Sequence, residues 1–234
     1  MTISKILKDA IESTKNNPII SWNDPAWSTL VNADAEFSKY MNNVRIPHND
    51  NKRCHGYFAL LHNIVSNLPD TANICELGNR EGLSTLSIID AMKQSHHFVT
   101  IDTVQDLRFL PYEKGDALID ANQLSVIIGN CLSPQVLSAV SDAINGKIDL
   151  LFCDTIHIYE QVQAEFEKYE HLLADEAIIL VDDIRNAHLH LEEGHPDRRT
   201  KYKFYEEWEG EKYDLTELCH NPSGFGAFIY KREK

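Results

Sequence analysis

The pattern of apolar and polar positions divides the chain into a helical beginning and an alternating remainder. Apolar residues spaced three or four apart predict three helices, over 3–13, 27–41 and 57–68. A polar stretch at 42–53 contains Pro47 and several asparagine and aspartate residues, and predicts a loop. We therefore expect residues 1–70 to form a helical N-terminal preface that packs beside the rest of the fold or over its ligand.

From residue 72 onward, short apolar runs alternate with amphipathic segments. The runs at 148–153 and 177–181 are almost continuously apolar, which is typical of parallel strands covered by helices on both faces. Strands are expected at 73–78, 97–102, 124–129, 147–154 and 176–183. Helices are expected at 82–94, 114–122, 133–144 and 158–173. This order predicts an α/β fold with a doubly wound, mostly parallel, Rossmann-like sheet that binds ligands at the carboxyl ends of its strands.

The last part of the chain predicts the edge of the sheet. A charged and aromatic helix is expected at 198–208, followed by an antiparallel hairpin with strands at 213–219 and 226–232. A chain of 234 residues can bury one substantial core. We therefore predict a single domain over 1–234, in which 72–234 form the ligand-binding α/β core.

Composition narrows the classes of function. The net charge is −14 and no Lys/Arg stripe occurs, which disfavours nucleic acid as a partner. The five cysteines form no C-x-x-C pair, which favours buried thiols in a reducing compartment. The N-terminus lacks the apolar segment of a signal peptide, and no run approaches the ~20 apolar residues of a membrane span. The prediction is a cytoplasmic protein without a membrane partner; a homo-oligomer is left open.

The stretch 74–84 is the first candidate for chemistry. An apolar strand reaches Glu76 just before Gly78, and Gly82 then opens a helix. A glycine turn between strand and helix lets a ligand approach the main chain and the helix N-terminus. Asp102 ends the next strand about twenty residues later, where a βαβ unit brings an acid beside a nucleotide ribose. The alternatives are a plain tight turn at the glycines and a capping role for Asp102.

Three acids form the second candidate. Asp154 ends one predicted strand, and Asp182 and Asp183 end the next. If these strands are neighbours, they lie ~4.8 Å apart at one edge of the sheet. The carboxylates would then repel one another unless a cation lies between them, and oxygen ligands suit Mg²⁺ or a similar divalent ion. The alternative is that one of the acids caps a helix or binds Arg185.

Together, the order and spacing of these segments resemble the class I S-adenosylmethionine-dependent methyltransferases. The closest likeness is to their metal-dependent O-methyltransferase branch, which includes the catechol, caffeoyl-CoA and macrolide-sugar enzymes. The resemblance covers 72–184 and, less closely, 213–232. It rests on Glu76-Leu77-Gly78 with Gly82-Leu83-Ser84, Thr100-Ile101-Asp102, Asp154-Thr155-Ile156-His157-Ile158-Tyr159-Glu160 and Val181-Asp182-Asp183-Ile184.

The resemblance implies roles for particular residues. S-adenosylmethionine would be the cofactor and a hydroxylated small molecule the acceptor. The implied cofactor contacts are Glu76, Gly78 and Gly82 around the methionine part, Ser84 at its carboxylate, Asp102 at the ribose, and Asn130 or Cys131 against the adenine. The implied metal ligands are Asp154, Asp182 and Asp183. His157 matches the general base of the sugar enzymes, and its ordinary alternative is a histidine in the first turn of a helix.

Two other functions remain as alternatives. A nicotinamide-dependent oxidoreductase would need G-x-G-x-x-G for its pyrophosphate, whereas this loop has only Gly78 and Gly82 with Arg80 and Glu81 between them. A carboxylate at Glu81 is a poor neighbour for a diphosphate, while the sulfonium cation of S-adenosylmethionine tolerates acids. The second alternative is a non-catalytic binding module that presents its acidic surface to a protein partner.

Overall fold

The computed structural model describes residues 2–16, 56–80, 82–104, 112–185, 200–219 and 223–232. The helix predicted over 27–41 lies outside these residues. The helices are α1 (Ile3–Asn16), α2 (Gly56–Asn67), α3 (Leu83–Ala91), α4 (Tyr112–Asp120), α5 (Pro134–Ala143), α6 (Tyr159–Tyr169), α7 (Tyr202–Glu207) and α8 (Thr216–Cys219). The strands are β1 (Asn73–Leu77), β2 (His97–Asp102), β3 (Leu124–Ile128), β4 (Ile148–Cys153), β5 (Leu173–Asp182), β6 (Lys212–Asp214) and β7 (Phe225–Lys231).

The strands form one seven-stranded sheet in the order β3-β2-β1-β4-β5-β7-β6. The first five strands are mutually parallel, and β7 pairs antiparallel with both β5 and β6. The predicted doubly wound, mostly parallel sheet with antiparallel C-terminal strands is therefore confirmed. The strand order reverses between β1 and β4, which is where an open α/β sheet binds its ligands.

Each face of the sheet is covered by helices. On one face, Ile6 and Leu7 of α1 and Leu60 and Leu61 of α2 pack with the strands and are completely buried. On the other face, Val162 of α6 belongs to a second core cluster. Because both faces are buried, the central strands consist of apolar residues at almost every position.

The C-terminal hairpin differs in detail from the prediction. Strand β6 covers only Lys212–Asp214, and residues 216–219, expected as strand, form the short helix α8. Asp214 Oδ1 accepts a hydrogen bond from the Thr216 amide at 3.1 Å, which caps a helical turn. The strand predicted at 216–219 is wrong. Leu215 and Cys219 are four residues apart and both are buried, which is the spacing of a short helix.

Two further findings bear on the expectations from composition. The four cysteines within the described residues, Cys75, Cys131, Cys153 and Cys219, are all free and buried. Across the described ranges, the structure contains no helix both long and apolar enough to cross a membrane.

Candidate active site

The loop between β1 and α3 requires glycine at its first position. Gly78 has φ +85°, and a Cβ atom there would lie 2.1 Å from the carbonyl oxygen of Asp154. The Gly78 amide donates to the carbonyl of Ile101 at 2.8 Å, so the loop begins where the ends of β1, β2 and β4 meet. Gly82, with φ +91°, forms the N-cap of α3. The glycines therefore form a tight turn against the end of β4, and the approach of a ligand to this turn stays a prediction.

Asp102 holds this loop from the end of β2. Its Oδ2 accepts hydrogen bonds from the amides of Asn79 at 3.0 Å and Arg80 at 2.8 Å. Its Oδ1 lies 3.3 Å from the Val104 amide and from the Thr103 hydroxyl. The capping alternative thus describes one function of this side chain. Contact with a ribose stays a prediction. Oδ1 is the oxygen with the longer hydrogen bonds and is therefore the better candidate for this contact.

Glu76 is a completely buried acid beneath the loop. Its Oε2 accepts from the hydroxyls of Thr85 at 2.6 Å and Thr100 at 2.7 Å. Burial raises its pKa to about 7, against the opposing effect of the hydroxyls of Ser84, Thr85 and Thr100. Within the described part of the chain, Oε1 accepts no hydrogen bond of good geometry. The Ser84 hydroxyl is nevertheless close enough to lower the pKa of Glu76. A buried acid with one unengaged oxygen suits the binding of a cationic ligand group.

The predicted adenine side lies after β3. The Asn130 side chain is exposed apart from its Oδ1, which accepts from the Leu132 amide at 2.9 Å. Cys131 is buried, and its carbonyl accepts from the Tyr169 hydroxyl at 3.0 Å. The structure therefore fixes the backbone of this loop and leaves the Asn130 side chain at the surface.

Exposed apolar side chains lie at the carboxyl ends of three neighbouring parts of the sheet. Val104, Ile128 and Ile156 follow or end β2, β3 and β4, and are 63%, 55% and 54% exposed. They are three of the four large apolar side chains that the structure records as exposed. Their position at the carboxyl edge of the sheet suits the covering of an apolar ring system such as a purine base.

Three potential metal ligands come together at the ends of β4 and β5. Asp154, His157 and Asp183 each place a ligand atom within 4.8 Å of the others. Cys153 pairs with Val181 in the sheet, so the predicted adjacency of the two strand ends is present. Asp182 is not part of this group. Successive residues of a strand point to opposite faces, and Asp183, with φ +58°, follows the last strand residue.

His157 and Asp183 form a close pair. Nε2 of His157 lies 2.8 Å from Oδ2 of Asp183. Burial alone would raise the pKa of Asp183, but the hydrogen bond and charge of His157, with smaller effects from Lys201 and Ser223, hold it below its usual range. With Nε2 donating to the carboxylate, Nδ1 of His157 is the ring nitrogen left to accept a proton.

The other two acids have raised pKa values. Burial raises the pKa of Asp154 to about 6, opposed by the charge of Lys201 and reinforced by that of Asp183. Burial also raises the pKa of Asp182 well above its usual range, and the charges of Asp154 and Asp183 raise it further. The cluster therefore gains stability from any added positive charge.

Two buried residues that the sequence did not indicate complete the site. Lys201 precedes α7, has no exposed surface, and donates from Nζ to the carbonyl of Asp182 at 3.1 Å. Glu165 of α6 is equally buried, and its Oε1 accepts from Thr155 Oγ1, from Gln161 Nε2 at 2.8 Å and from Cys131 Sγ at 3.6 Å. Glu165 thereby joins the loops that follow β3 and β4.

The donor set of the acidic cluster fits a divalent cation. Two carboxylates and an imidazole are ligand types that Mg²⁺, Mn²⁺ or similar ions accept, with waters and substrate oxygens completing the coordination. The fit concerns Asp154, His157 and Asp183. Asp182 is not in this group, although the charges of Asp154 and Asp183 raise its pKa.

Comparison with known proteins finds methyltransferases that are similar to this chain. Residues 75–184 match the family model described as a methyltransferase domain. The O-methyltransferase TomG from Streptomyces achromogenes, solved with S-adenosylmethionine, has a TM-score of 0.59 at 17% identity, covering 99% of this chain and 100% of that one. An O-methyltransferase from Bacillus cereus, solved with S-adenosylhomocysteine, has a TM-score of 0.58 at 17% identity, covering 98% and 100%.

A methyltransferase from Geobacter sulfurreducens gives a TM-score of 0.56 at 16% identity, covering 96% of this chain and 97% of that one. A search of curated protein sequences finds no significant match. At these identities the solved structures establish the fold, and the family model identifies the domain. The family match and the shared fold agree with the predicted resemblance to the methyltransferases. These matches give no support to the dehydrogenase or non-catalytic alternatives.

Proposed function

We propose that this chain, a methyltransferase of the class I S-adenosylmethionine-dependent type, transfers the methyl group to a hydroxyl of a small molecule, with His157 as the base. The observation that carries the proposal is the 2.8 Å contact between His157 and Asp183 at the same sheet edge as the glycine loop. A proton acceptor at this edge supports the proposal, because the methyl donor is predicted to bind at the same edge.

The cofactor pocket follows from the loop and its surroundings. The glycines at 78 and 82 allow close approach to the main chain, and the unengaged Oε1 of Glu76 supports a role beside the cationic methionine part. Ser84, in the first turn of α3, would donate to the methionine carboxylate, since a helix N-terminus favours an anion. Asp102 would bind the ribose, and Asn130 with Cys131 the adenine.

His157 would remove the acceptor's proton. Asp183 fixes the ring by accepting from Nε2, so Nδ1 takes the hydroxyl proton as the hydroxyl oxygen attacks the methyl carbon. The carbon–sulfur bond breaks in the same step, its electron pair stays on sulfur, and S-adenosylhomocysteine is the leaving group. A buried carboxylate beside the ring stabilises the imidazolium that forms.

A divalent cation, Mg²⁺ or a similar ion, would be held by Asp154 and Asp183, with Asp182 as a further acid at the edge. When bound, such an ion supplies a positive charge that polarises the acceptor hydroxyl and favours loss of its proton. The chain's own contribution is to bring carboxylate oxygens of Asp154 and Asp183 within 4.8 Å of each other, with the base His157 beside them.

The experiment that tests the proposal begins with S-adenosylhomocysteine, because it is the expected product and requires no knowledge of the acceptor. It is titrated calorimetrically into the full chain, with Mg²⁺ and then with EDTA. Binding with one-to-one stoichiometry is expected in both, followed by methyl transfer to members of a panel of hydroxylated small molecules. Absence of binding under both conditions would contradict the proposal. Turnover that EDTA leaves unchanged would remove the metal ion from it.

A further inference from the structure

Lys201 is unusual because its ammonium group is completely buried. The residue precedes α7 and is among the largest side chains in the structure with no exposed surface. Its Nζ donates to the main-chain carbonyl of Asp182 at 3.1 Å. Over the ranges that the structure describes, this is its one hydrogen-bond partner, and no carboxylate oxygen lies within the 4.0 Å of a salt bridge. Burying a charge without a directly paired counter-charge costs desolvation free energy. Negative charges nearby must therefore offset this cost.

The compensating charges are four acids at the ends of β4 and β5 and on α6, of which Glu165 and Asp182 are buried and Asp154 and Asp183 partly buried. The contact with Asp182 fixes Nζ at the end of β5, beside β4, where Cys153 pairs with Val181 and Asp154 follows. The positive charge of Lys201 lowers the pKa of each of Asp154, Glu165, Asp182 and Asp183. One ammonium therefore stabilises a whole cluster of carboxylates.

We propose that Lys201 is a built-in counter-cation of the carboxylate site: it holds the ends of β4 and β5 together without a divalent ion and weakens the binding of one. The inference rests on the proposed function in that it concerns the same acids. A divalent ion held by Asp154 and Asp183 would share their charge with the ammonium, and two cations at one site repel each other.

The test measures Mn²⁺ binding to the full chain by calorimetry, so it does not depend on activity. Lys201→Met removes the charge and keeps much of the apolar stem. We expect it to bind Mn²⁺ at least about tenfold more tightly than the unchanged chain, because the carboxylates lose their internal partner. A variant that merely damaged the site would bind more weakly. The sign of the change therefore separates a charge effect from a structural one.

Lys212 offers the matched control. Its Nζ also donates to main-chain carbonyls, those of Tyr205 at 2.7 Å and Glu206 at 2.9 Å, beside the same aromatic helix. The Lys212→Met variant loses an equal charge away from the acids. We expect its Mn²⁺ affinity to equal that of the unchanged chain. A similar gain in both variants would indicate a general effect of net charge and would overturn the inference.

Thermal unfolding gives a second readout. In EDTA, Lys201→Met and Lys201→Gln are expected to melt below the unchanged chain, and Mn²⁺ should raise their melting temperatures more than it raises that of the unchanged chain. Lys201→Arg keeps the charge and should retain the original Mn²⁺ affinity. Because the Gln and Arg variants both alter packing, their difference reports the charge.

Several outcomes would overturn the inference. They are equal or weaker Mn²⁺ binding by both neutral variants, failure of both to fold even with millimolar Mn²⁺, and no Mn²⁺ binding by any variant. None of these outcomes bears on the methyl donor, because S-adenosylhomocysteine binding to the unchanged chain is measured separately. Loss of that binding would contradict the proposed function alone.

Discussion

Nε2 of His157 donates to Oδ2 of Asp183 across 2.8 Å, and this bond determines which ring nitrogen can act as a base. A histidine in the first turn after a strand could turn in several directions. The carboxylate at the end of the neighbouring strand selects one orientation and leaves Nδ1 for the acceptor. The catalytic proposal thus depends on a contact between residues that are far apart in the sequence.

Replacement of His157 by alanine is expected to reduce turnover by roughly 10²–10⁴, because the proton acceptor is lost. The affinity for S-adenosylhomocysteine, measured by calorimetry, should change little. His62 is a matched control, since its Nε2 lies 3.5 Å from Asp90 on a pair of helices away from the strand ends. The His62→Ala variant should retain turnover. Unchanged turnover in His157→Ala would remove this residue from the mechanism.

Replacement of Gly78 by alanine is expected to distort the cofactor loop. The added Cβ would lie 2.1 Å from the Asp154 carbonyl oxygen, in addition to the strain of φ +85°. The Gly146→Ala variant shares a positive φ of +121° but meets its nearest atom, Asn73 Nδ2, at 3.6 Å. We expect a loss of about 1–2 kcal/mol for Gly146→Ala, and a larger loss together with weakened cofactor binding for Gly78→Ala. Thermal melts and calorimetry measure both, and equal effects would contradict the close approach.

The pKa of Glu76 predicts a dependence of stability on pH. Burial raises it from 4.5 to about 7, so the folded chain holds more protons than the unfolded chain between these values. Its contribution to the free energy of unfolding is therefore present at low pH and is lost as pH rises from about 4.5 to 7. Relative to the unchanged chain, Glu76→Gln should gain up to about 3 kcal/mol across this window.

The measurement for Glu76 is urea unfolding of the ligand-free chain at several pH values between 4.5 and 7. Glu160, an exposed residue of α6, provides the comparison through Glu160→Gln. The dependence on pH should be larger for Glu76→Gln than for this surface variant, because only the first removes a completely buried carboxyl. A constant difference between Glu76→Gln and the unchanged chain would show that Glu76 does not titrate in this window.

Replacement of Asp102 by alanine is expected to weaken S-adenosylhomocysteine binding at least about tenfold, because the amides of Asn79 and Arg80 lose their acceptor and the ribose loses its predicted partner. Asp149 is a matched control: its Oδ2 also accepts a main-chain amide, that of Asn73 at 2.8 Å, near the start of β4. Asp149→Ala should lower the melting temperature and leave ligand affinity unchanged. Equal affinity in both variants would contradict the role of Asp102.

Local patterns were sufficient to predict the sheet and the glycine loop. The apolar runs identify the parallel strands, and Gly78 and Gly82 mark a turn whose φ values are indeed positive. The acids at the ends of β4 and β5 were predicted to be neighbours, and the register confirms this. Their division was not predicted. Asp182 is the last residue of β5 and Asp183 follows it with φ +58°, a backbone conformation that the local sequence pattern does not indicate.

Contacts between distant segments were beyond reach of sequence patterns. Lys201 and Lys203 look alike in the sequence, yet the first is completely buried among acids while the second forms a 3.0 Å ion pair with Glu207. Which of the two lysines turns inward depends on how α7 packs against α6 and the sheet. Likewise, nothing in the sequence around Glu165 distinguishes it from the solvated acids of the same helix.

Glu165 has a consequence for any attempt to redesign this protein. Through Cys131 and Thr155, one carboxylate joins the loop predicted to hold the adenine to the loop that carries the acceptor-side residues. Replacing either loop with one from another protein would remove a hydrogen-bond donor to the buried carboxylate of Glu165. A redesign that exchanges these loops will therefore have to keep or replace residues 131, 155 and 165 together.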